Sequence, residues 1–263
     1  MRSVSERETK LATRFGAADL QVHTSYGDGM ADARAIFDRI QATTSLDVVA
    51  VTDHDDIGGA LLAREVHASG EYRFEFVPGI EVTTRSGHLL ALWVDQPIAS
   101  FRPLAETVAT IHRLGGLAVI PHPFSYLTRS IGQRTLERLL ALGDPEATPD
   151  GIEVANLTLA GRATGAKALR WNRAHAHLSE TGGSDAHFPE EVGNAYTAFP
   201  GSTAEQLRNA ILAGTTSGVA GSVLSLRQIG VRRILAQQFL GLSTTPRVVL
   251  GRVVSRLVHA RQS

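Results

Sequence analysis

The sequence predicts an α/β protein of parallel β/α type, closed as a barrel. Short apolar runs of buried-strand type alternate with segments of helical period along most of the 263 residues, which is the pattern of strand–helix units around a parallel sheet. An open doubly wound sheet gives the same alternation. The placement of polar residues favours the barrel: histidines and acids recur at the C-terminal ends of the predicted strands, the end at which a β/α barrel builds its active site. Contributions from so many strands converge more readily in a barrel than along an open sheet.

The elements follow in order. Ala18–His23 reads as a strand and Ala31–Ala42 as a helix. Asp47–Thr52 (DVVAVT) is a buried strand, followed by a helix from Ile57 to Ala68. Phe74–Val82 and His88–Val94 are strands, Leu104–Leu114 is a helix, and Gly115–Gly116 stop it. Leu117–Ile120 is a strand, Thr135–Leu142 a helix, Gly151–Ala155 a strand and Ala163–Leu178 a helix. Thr181–Ser184 is a short strand, and Ala195–Phe199, Thr203–Leu212 and Gly218–Ala220 read as strand, helix and strand. No repeat or low-complexity tract interrupts the series.

Composition narrows the chemistry. Apolar residues make up 43% and charged residues 20%, ordinary for a folded domain and too apolar for a disordered chain. With no cysteine, disulfides, thiolate metal sites, iron–sulfur clusters and a cysteine nucleophile are excluded. No apolar run approaches the roughly 18 residues of a membrane span, and the charged N-terminus lacks the apolar stretch of a secretory signal, so a cytoplasmic location is expected. The formal net charge of zero hides an asymmetry: residues 1–205 carry 18 basic and 26 acidic groups, whereas residues 206–263 carry eight arginines and no acid. The acidic body offers no broad basic groove, so long duplex nucleic acid is not an expected partner.

Five of the ten histidines, His23, His54, His88, His122 and His187, lie beside predicted strand ends. Acids accompany them: Asp19 and Asp28 near His23, Asp53, Asp55 and Asp56 around His54, Glu81 ahead of His88, and Asp185 two residues before His187. Neutral imidazoles together with carboxylates suit Zn, Mn or Fe. Any one cluster reads equally well as a helix cap or turn; five together point to a metal centre. In Asp19-Leu20-Gln21-Val22-His23, strand alternation places Asp19, Gln21 and His23 on one side. His67 and His112 fall in helices and read as surface or packing residues. His175 and His177 are two apart and cannot share a helix face. Of the cations, Arg129 is the leading candidate to bind an anionic substrate, followed by Arg134 and Arg85. There is no Walker loop and no serine-nucleophile elbow.

The motifs DLQVHTSYGDG (19–29), VTDHDD (51–56), GIEVTT (79–84), GHLLAL (87–92), PHP (121–123), GIEVAN (151–156) and GGSDAH (182–187) stand in one order. In that order the sequence resembles the PHP family, the polymerase and histidinol phosphatase metal-dependent hydrolases, over about residues 18–222. The short spacing from Glu81 to His88 resembles the compact branch that includes nucleotide phosphatases and carbamate-type hydrolases. The resemblance implies a distorted (β/α)7 barrel with up to three metal ions at the strand C-termini. It implies one ion on His23, Glu81 and Asp185, a second on Glu81, His88 and His122, and a third on Asp28, His54 and His187. Asp19, Asp53 and Asp55 would be supporting or substrate-side groups, and Asp53, Asp55 and Arg129 are the expected catalytic residues beside the metals. The family's first motif is usually His-x-His; here it is Gln21-x-His23. A Gln carbonyl is a poor zinc ligand, so two ions or three are expected, with Mg as an alternative at the weakened site.

The resulting expectation is a metal-dependent hydrolase using a metal-bound hydroxide. Its substrate would be a small phosphorylated molecule (nucleotide, nucleoside bisphosphate or sugar phosphate) or a nucleic-acid end, with carbamate, ester or amide hydrolysis, or a non-catalytic metal-binding module, as alternatives. Residues 1–17 are read as an N-terminal extension and 223–263 as a basic amphipathic helical tail. The tail splits at Gly241–Pro246 and carries an apolar stripe of Val231, Ile234, Leu235, Phe239 and Leu240. It is expected to be an accessory to the barrel, its stripe covered either by the outer helices, with the arginines outward, or by an anionic membrane or a partner.

Overall fold

A computed structural model describes residues 14–224, 226–242 and 248. The strands are β1 (Phe15–Val22), β2 (Val48–Val51), β3 (Glu75–Thr84), β4 (Gly87–Leu92), β5 (Leu117–Ile120), β6 (Gly151–Ala155), β7 (Ser179–Gly182), β8 (Ala195–Pro200) and β9 (Ser217–Ala220). They form one sheet in the order β7-β6-β5-β4-β3-β2-β1-β8-β9. The sheet curls until the residues after β7 meet the end of β1: Val22 bridges Ala186 in parallel, and His23 N donates to Ala186 O at 2.9 Å. Seven strands thus form a nearly closed barrel, while β8 pairs antiparallel with the opening half of β1 and β9 pairs with β8.

The barrel is distorted at β4. β3 and β4 are joined by a tight hairpin rather than a helix, so β4 runs antiparallel to both neighbours. The remaining connections carry the helices α1 (Ala33–Thr43), α2 (Gly58–Ala68), α3 (Leu104–Arg113), α4 (Gln133–Leu140), α5 (Leu159–Trp171), α6 (Ala204–Leu212) and the short α7 (Leu226–Ile229). Local sequence explains their starts. Asp32 caps α1 by accepting from Ala35 N, Thr158 caps α5 through Gly161 N, and Thr203 with Gln206 makes a capping box for α6. α1 buries Ala33, Ile36, Phe37 and Ile40, an i, i+3, i+4, i+7 face. α5 begins before the expected helix and ends at Trp171, where a π-helical turn over Asn172–Ala176 takes over. His175 and His177 are exposed there.

Strand periodicity sorts the core. Val48 and Ala50 of β2, Val77 of β3, Leu90 and Leu92 of β4, and Leu117 and Val119 of β5 fill the barrel with Ala18 and Leu20. Their alternates, among them Val49, Val51, Ile80, Val82, Leu89 and Ala91, pack outward against the helices. Burial on both faces is why β2 (VVAV) and β5 (LAVI) read as unbroken apolar runs. The interior is therefore apolar at one end and polar at the other.

A bulge corrects the reading of β1. Ala18 and Asp19 pair with Val48 and Val49, but Val22 pairs with Val51, so β1 holds one extra residue. The extra residue inverts the alternation. Gln21 and His23 turn into the barrel, whereas Asp19 stays outside and accepts from Ser184 N at 2.9 Å and Gly193 N at 2.8 Å.

His112, at the end of α3, ties that helix to the following segments. Its Nδ1 lies 3.0 Å from Glu146 O and its Nε2 3.0 Å from Asp150 Oδ2. Two acceptors favour the doubly protonated ring, and the Asp150 hydrogen bond raises its pKa above the ordinary 6.5. The resulting stabilisation is fully present below that ordinary value and is lost as pH rises through the raised folded one. His112→Gln is expected to lower stability by about 1 kcal/mol at about pH 6 and by less at about pH 9. Denaturant melts at the two pH values check this, and an equal loss at both would remove the charged pair from the account.

Residues 231–242 are helical. Val231, Leu235 and Phe239 of the apolar stripe are 61–72% exposed, so these three do not pack on the outer helices. Arg233 instead turns inward, pairing with Glu190 at 2.9 Å and lying over the Phe188 ring. Residues 1–13 and 243–263, except 248, lie outside the described residues, and with them most of the expected N-terminal extension and the second half of the tail. No helix among the described residues is long and apolar enough to cross a membrane.

Candidate metal centre

Glu81, fully buried on β3, is the hub of the polar end. Oε1 lies 2.7 Å from His88 Nδ1 and 3.1 Å from His122 Nε2. Oε2 lies 3.2 Å from His23 Nε2 and 3.7 Å from His54 Nδ1. Asp185 Oδ1 is 3.2 Å from the same His23 nitrogen. A second carboxylate, Asp28, gathers His187 Nε2 at 3.2 Å, His23 Nδ1 at 3.8 Å and His54 Nε2 at 3.9 Å.

Local folding delivers each group. His23 follows the β1 bulge, and His54 sits in a loop that hugs β3 through Asp55 N donating to Glu81 O at 3.0 Å. β4 runs backwards, so its contribution, His88, comes at its start rather than its end, with Thr83 opposite it in the hairpin register. His122 and Asp185 both adopt positive φ, 32° and 54°, a conformation uncommon outside glycine and enriched at functional sites.

Among the described residues, three sets of side chains could each hold an ion, with ligand atoms within 4.8 Å of one another: His23, Asp28, His54 and His187; His54, Glu81 and His88; and His23, Glu81 and Asp185. Thus all eight expected ligands converge on one end of the barrel. The grouping differs in part from the expected one, because His54 faces both carboxylates and His122 approaches through Glu81 Oε1.

The donor chemistry fits divalent cations. Both nitrogens of His23, Nδ1 of His54, Nδ1 of His88 and Oδ1 of Asp28 are buried without a hydrogen-bond partner. Buried polar atoms are rarely left so, and here their lone pairs converge. The two other imidazoles have their tautomers set from behind. His122 Nδ1 lies 3.0 Å from Ser130 Oγ, whose own proton goes to His122 O at 2.7 Å, and His187 Nδ1 lies 2.9 Å from Asp185 O. Each arrangement places the ring proton on Nδ1 and leaves the Nε2 lone pair facing a carboxylate. Burial raises the Glu81 carboxyl, but the surrounding imidazoles of His54, His88, His122 and His23 outweigh it and hold it well below the usual range. Glu81 is thus an anion among imidazoles.

The expected catalytic residues lie elsewhere. Asp53 spends both oxygens on Thr24, at 2.7 Å to N and 2.7 Å to Oγ1, and a Cβ at Gly59 would overlap its carboxylate. Asp55 accepts from Thr83 N, Thr83 Oγ1 and Ser100 Oγ, each at 2.7 Å. Both acids hold loops in place rather than facing the hub. Arg129 is exposed and lies over the Phe101 ring at 5.8 Å; Arg134 is also exposed, and Arg85 Nε donates to Phe101 O at 3.0 Å.

Glu153 is a site residue the sequence reading passed over. It is buried on β6, accepts from His122 N and Asn156 Nδ2, both at 2.8 Å, and burial pushes its carboxyl up to about 8 against the pull of His122. The signal was an acid in the centre of the apolar strand GIEVA.

Gln21 occupies the position of the missing imidazole. Its Nε2 donates to Glu81 Oε2 at 2.9 Å and its Oε1 is buried without a partner. The amide therefore takes up an oxygen that an ion would otherwise use. Gln21→His is expected to raise bound metal per chain or to tighten the weakest ion about tenfold, measured by elemental analysis and chelator competition. Unchanged stoichiometry and affinity would show that Gln21 is not what limits this site.

Comparison with known proteins agrees with this architecture. Residues 166–216 match the family model described as PHP-associated. Two uncharacterized proteins of Methanocaldococcus jannaschii are similar in sequence. One is 30% identical over 150 residues, covering 53% of this chain and 81% of the relative. The other is 32% identical over 125 residues, covering 47% and 51%. A two-domain protein of Bacteroides vulgatus, described as containing a predicted PHP-like metal-dependent phosphoesterase, has a similar fold, with TM-score 0.64, 18% identity and coverage of 79% of this chain and 65% of that one. PsfC from Pseudomonas syringae aligns with TM-score 0.60, 21% identity and coverage of 88% and 99%. An amidohydrolase from Chromobacterium violaceum with bound sulfate and no metal aligns with TM-score 0.51, 23% identity and coverage of 67% and 89%. A barrel whose polar end gathers imidazoles around shared carboxylates defines a class of metal-site proteins. Within that class, this chain belongs to the PHP family.

Proposed function

We propose that the protein is a metal-dependent hydrolase, most simply a phosphoesterase acting on a small phosphorylated substrate. The observation that carries this reading is Glu81, one buried carboxylate with imidazoles on both oxygens. It is a geometry suited to bridging two cations. Divalent ions bound there would supply Lewis-acid polarisation of the scissile group and a water of lowered pKa. The protein's own part is to fix the ligands. Ser130 and the Asp185 carbonyl set two imidazole tautomers, Asp53 and Asp55 hold the loops carrying His23 and His54, and Glu153 anchors the His122 backbone. The description of the Bacteroides vulgatus protein as a metal-dependent phosphoesterase supports the reading.

Carbamate, ester or amide hydrolysis is the second reading. It is favoured by one observation: the guanidinium of Arg129 lies over the Phe101 ring and Arg85 Nε donates to Phe101 O, so two of the expected phosphate-binding cations are engaged by Phe101. The amidohydrolase of similar fold points the same way. Purified protein loaded in turn with Zn, Mn, Fe or Mg and assayed against phosphomonoesters, nucleotides, carbamates and amides separates the two. Hydrolysis of phosphomonoesters or nucleotides, without carbamates or amides, is expected; turnover confined to carbamates or amides would replace the first reading by the second, and no turnover with any metal would refute both.

A further inference from the structure

The end of the barrel that carries the metal centre is also where large apolar side chains reach solvent. Helical residues 231–242 rest on that end. Arg233 forks onto Glu190 at 2.9 and 3.1 Å, Gln237 is buried, and Gly241 packs so tightly that an added Cβ would sit 3.0 Å from Asp28 Oδ2. These three recur every four residues and make one side of the helix. Val231, Leu235, Phe239 and Leu242 make the opposite side, and all four are exposed. The helix is thus amphipathic the wrong way round for water, its polar side on the barrel and its apolar side outward. At the same end the loop 121–132 after β5 carries Tyr126, 98% exposed, and Leu127 at its tip. That tip stands on a fixed base, because Ser130 Oγ donates to His122 O at 2.7 Å and His88 N to Arg129 O at 2.8 Å. Leu159, at the start of α5, is 75% exposed. Exposed cations surround this apolar rim: Arg85 in the β3–β4 hairpin, Arg129, Arg134 and Arg162 after β5 and β6, and Arg232 on the helix. Glu190 and Glu106 nearby are matched by arginines of their own, Arg233 and Arg102. Asp32 and Asp56 are spent on capping α1 and on Gly58 N, and leave the arginines in excess.

We propose that this face docks on an anionic phospholipid bilayer, with the outer stripe of the helix and the Tyr126–Leu127 tip seated at the boundary of headgroups and acyl chains and the arginines on the headgroup phosphates. Apolar and cationic side chains interleaved on one face match a surface that presents hydrocarbon beneath a negatively charged layer. The chain around the helix has the same bias, since residues 206–263 carry eight arginines and no acid. A patch of this kind left in water is unusual on a soluble monomer. A second copy is a poorer occupant. Pairing the face with itself sets arginine against arginine, and the exposed apolar residues away from it, Phe15, Leu62, Leu142 and Leu212, stand on four separate segments and offer no matching patch. Docking in this way brings the metal centre to the bilayer surface. The inference does not rest on the hydrolase reading, and its test needs no turnover.

The probe is co-sedimentation of the metal-loaded full chain with vesicles of phosphatidylcholine mixed with phosphatidylserine, against vesicles of phosphatidylcholine alone. The protein is expected to partition at least about tenfold more strongly onto the mixed vesicles and to be released by added salt. Leu235→Ser combined with Phe239→Ser is expected to lower the partition coefficient at least about tenfold, through the loss of two apolar side chains. Tyr126→Ser combined with Leu127→Ser should weaken it independently, from a separate element. All four side chains are exposed, so metal content and melting temperature should hold. No sedimentation with mixed vesicles, equal sedimentation with neutral ones, or wild-type partitioning in both pairs of variants would overturn the assignment. Self-association that the same variants abolish, without vesicle binding, would replace the bilayer by a second copy. A lowered melting temperature in the helix pair with vesicle binding intact would show that the chain itself covers the stripe. Vesicle binding by a protein that hydrolyses nothing would sink the hydrolase reading while leaving this one standing.

Discussion

Glu81→Gln is expected to empty the two candidate sets that share this residue and to reduce hydrolysis more than about a hundredfold, the upper range for losing even a supporting partner of a metal ligand. The substitution preserves volume and one hydrogen-bond acceptor, so the barrel should still fold. What it removes is the charge on a carboxylate that meets His88 and His122 through one oxygen and His23 and His54 through the other. Neutral Gln cannot bridge two cations. Elemental analysis before and after the change is the direct measurement. A variant that kept its full complement of ions would show that Glu81 merely neutralises the histidines around it. Asp28 provides the internal control, because the set it makes with His23, His54 and His187 does not include Glu81.

Asp55→Ala is expected to be the most destabilising single change outside the ligands, at about 4 kcal/mol, which lowers the melting temperature by roughly 10 °C in a chain of this size. Two effects add. The carboxylate accepts three hydrogen bonds at 2.7 Å from Thr83 and Ser100, and removing it strands buried donors. Asp55 also has φ of 58°, a left-handed conformation that Asp and Asn tolerate better than Ala. Asp55→Asn keeps the backbone preference and part of the bonding, and should cost less than half as much. A melting temperature for Asp55→Ala within a few degrees of wild type would contradict the structural role. So would normal stability combined with lost turnover, which would return Asp55 to the reacting group.

Most of the strand and helix order was legible because burial on both faces of a parallel barrel writes itself as unbroken apolar runs between amphipathic helices. The convergence of His23, Asp28, His54, Glu81, His88, His122, Asp185 and His187 was legible for a related reason. Most stand at the end of an apolar run, and the resemblance of the ordered motifs to the PHP family supplied the full set. What escaped was geometry that a single residue of register decides. The extra residue in β1 separates Asp19 from Gln21 and His23, and nothing in DLQVH marks a bulge. The acids of VTDHDD looked catalytic by proximity to His54, but Asp53 and Asp55 are drawn away by Thr24 and Thr83, partners far off in sequence. Arg129 follows a strand end, where a substrate-binding cation belongs, but the loop turns it onto Phe101.

The seam of the barrel has a mechanical consequence. Where β1 and its following loop meet the residues after β7, the backbone is joined by the short Val22–Ala186 bridge, with His23 N donating to Ala186 O and Ala186 N to Gln21 O at 3.3 Å, and by Met30 N donating to His187 O at 2.7 Å. On either side of that short zipper stand His23 and Asp28 from one edge and Asp185 and His187 from the other. Any cation they share is a rivet through the join. Ion affinity and closure of the cylinder are then one equilibrium read from two ends. Chelation should loosen this edge first, ahead of the tightly hydrogen-bonded β2–β3–β4 side, and amide exchange at residues 21–23 and 184–187 should report metal occupancy as faithfully as any assay of turnover.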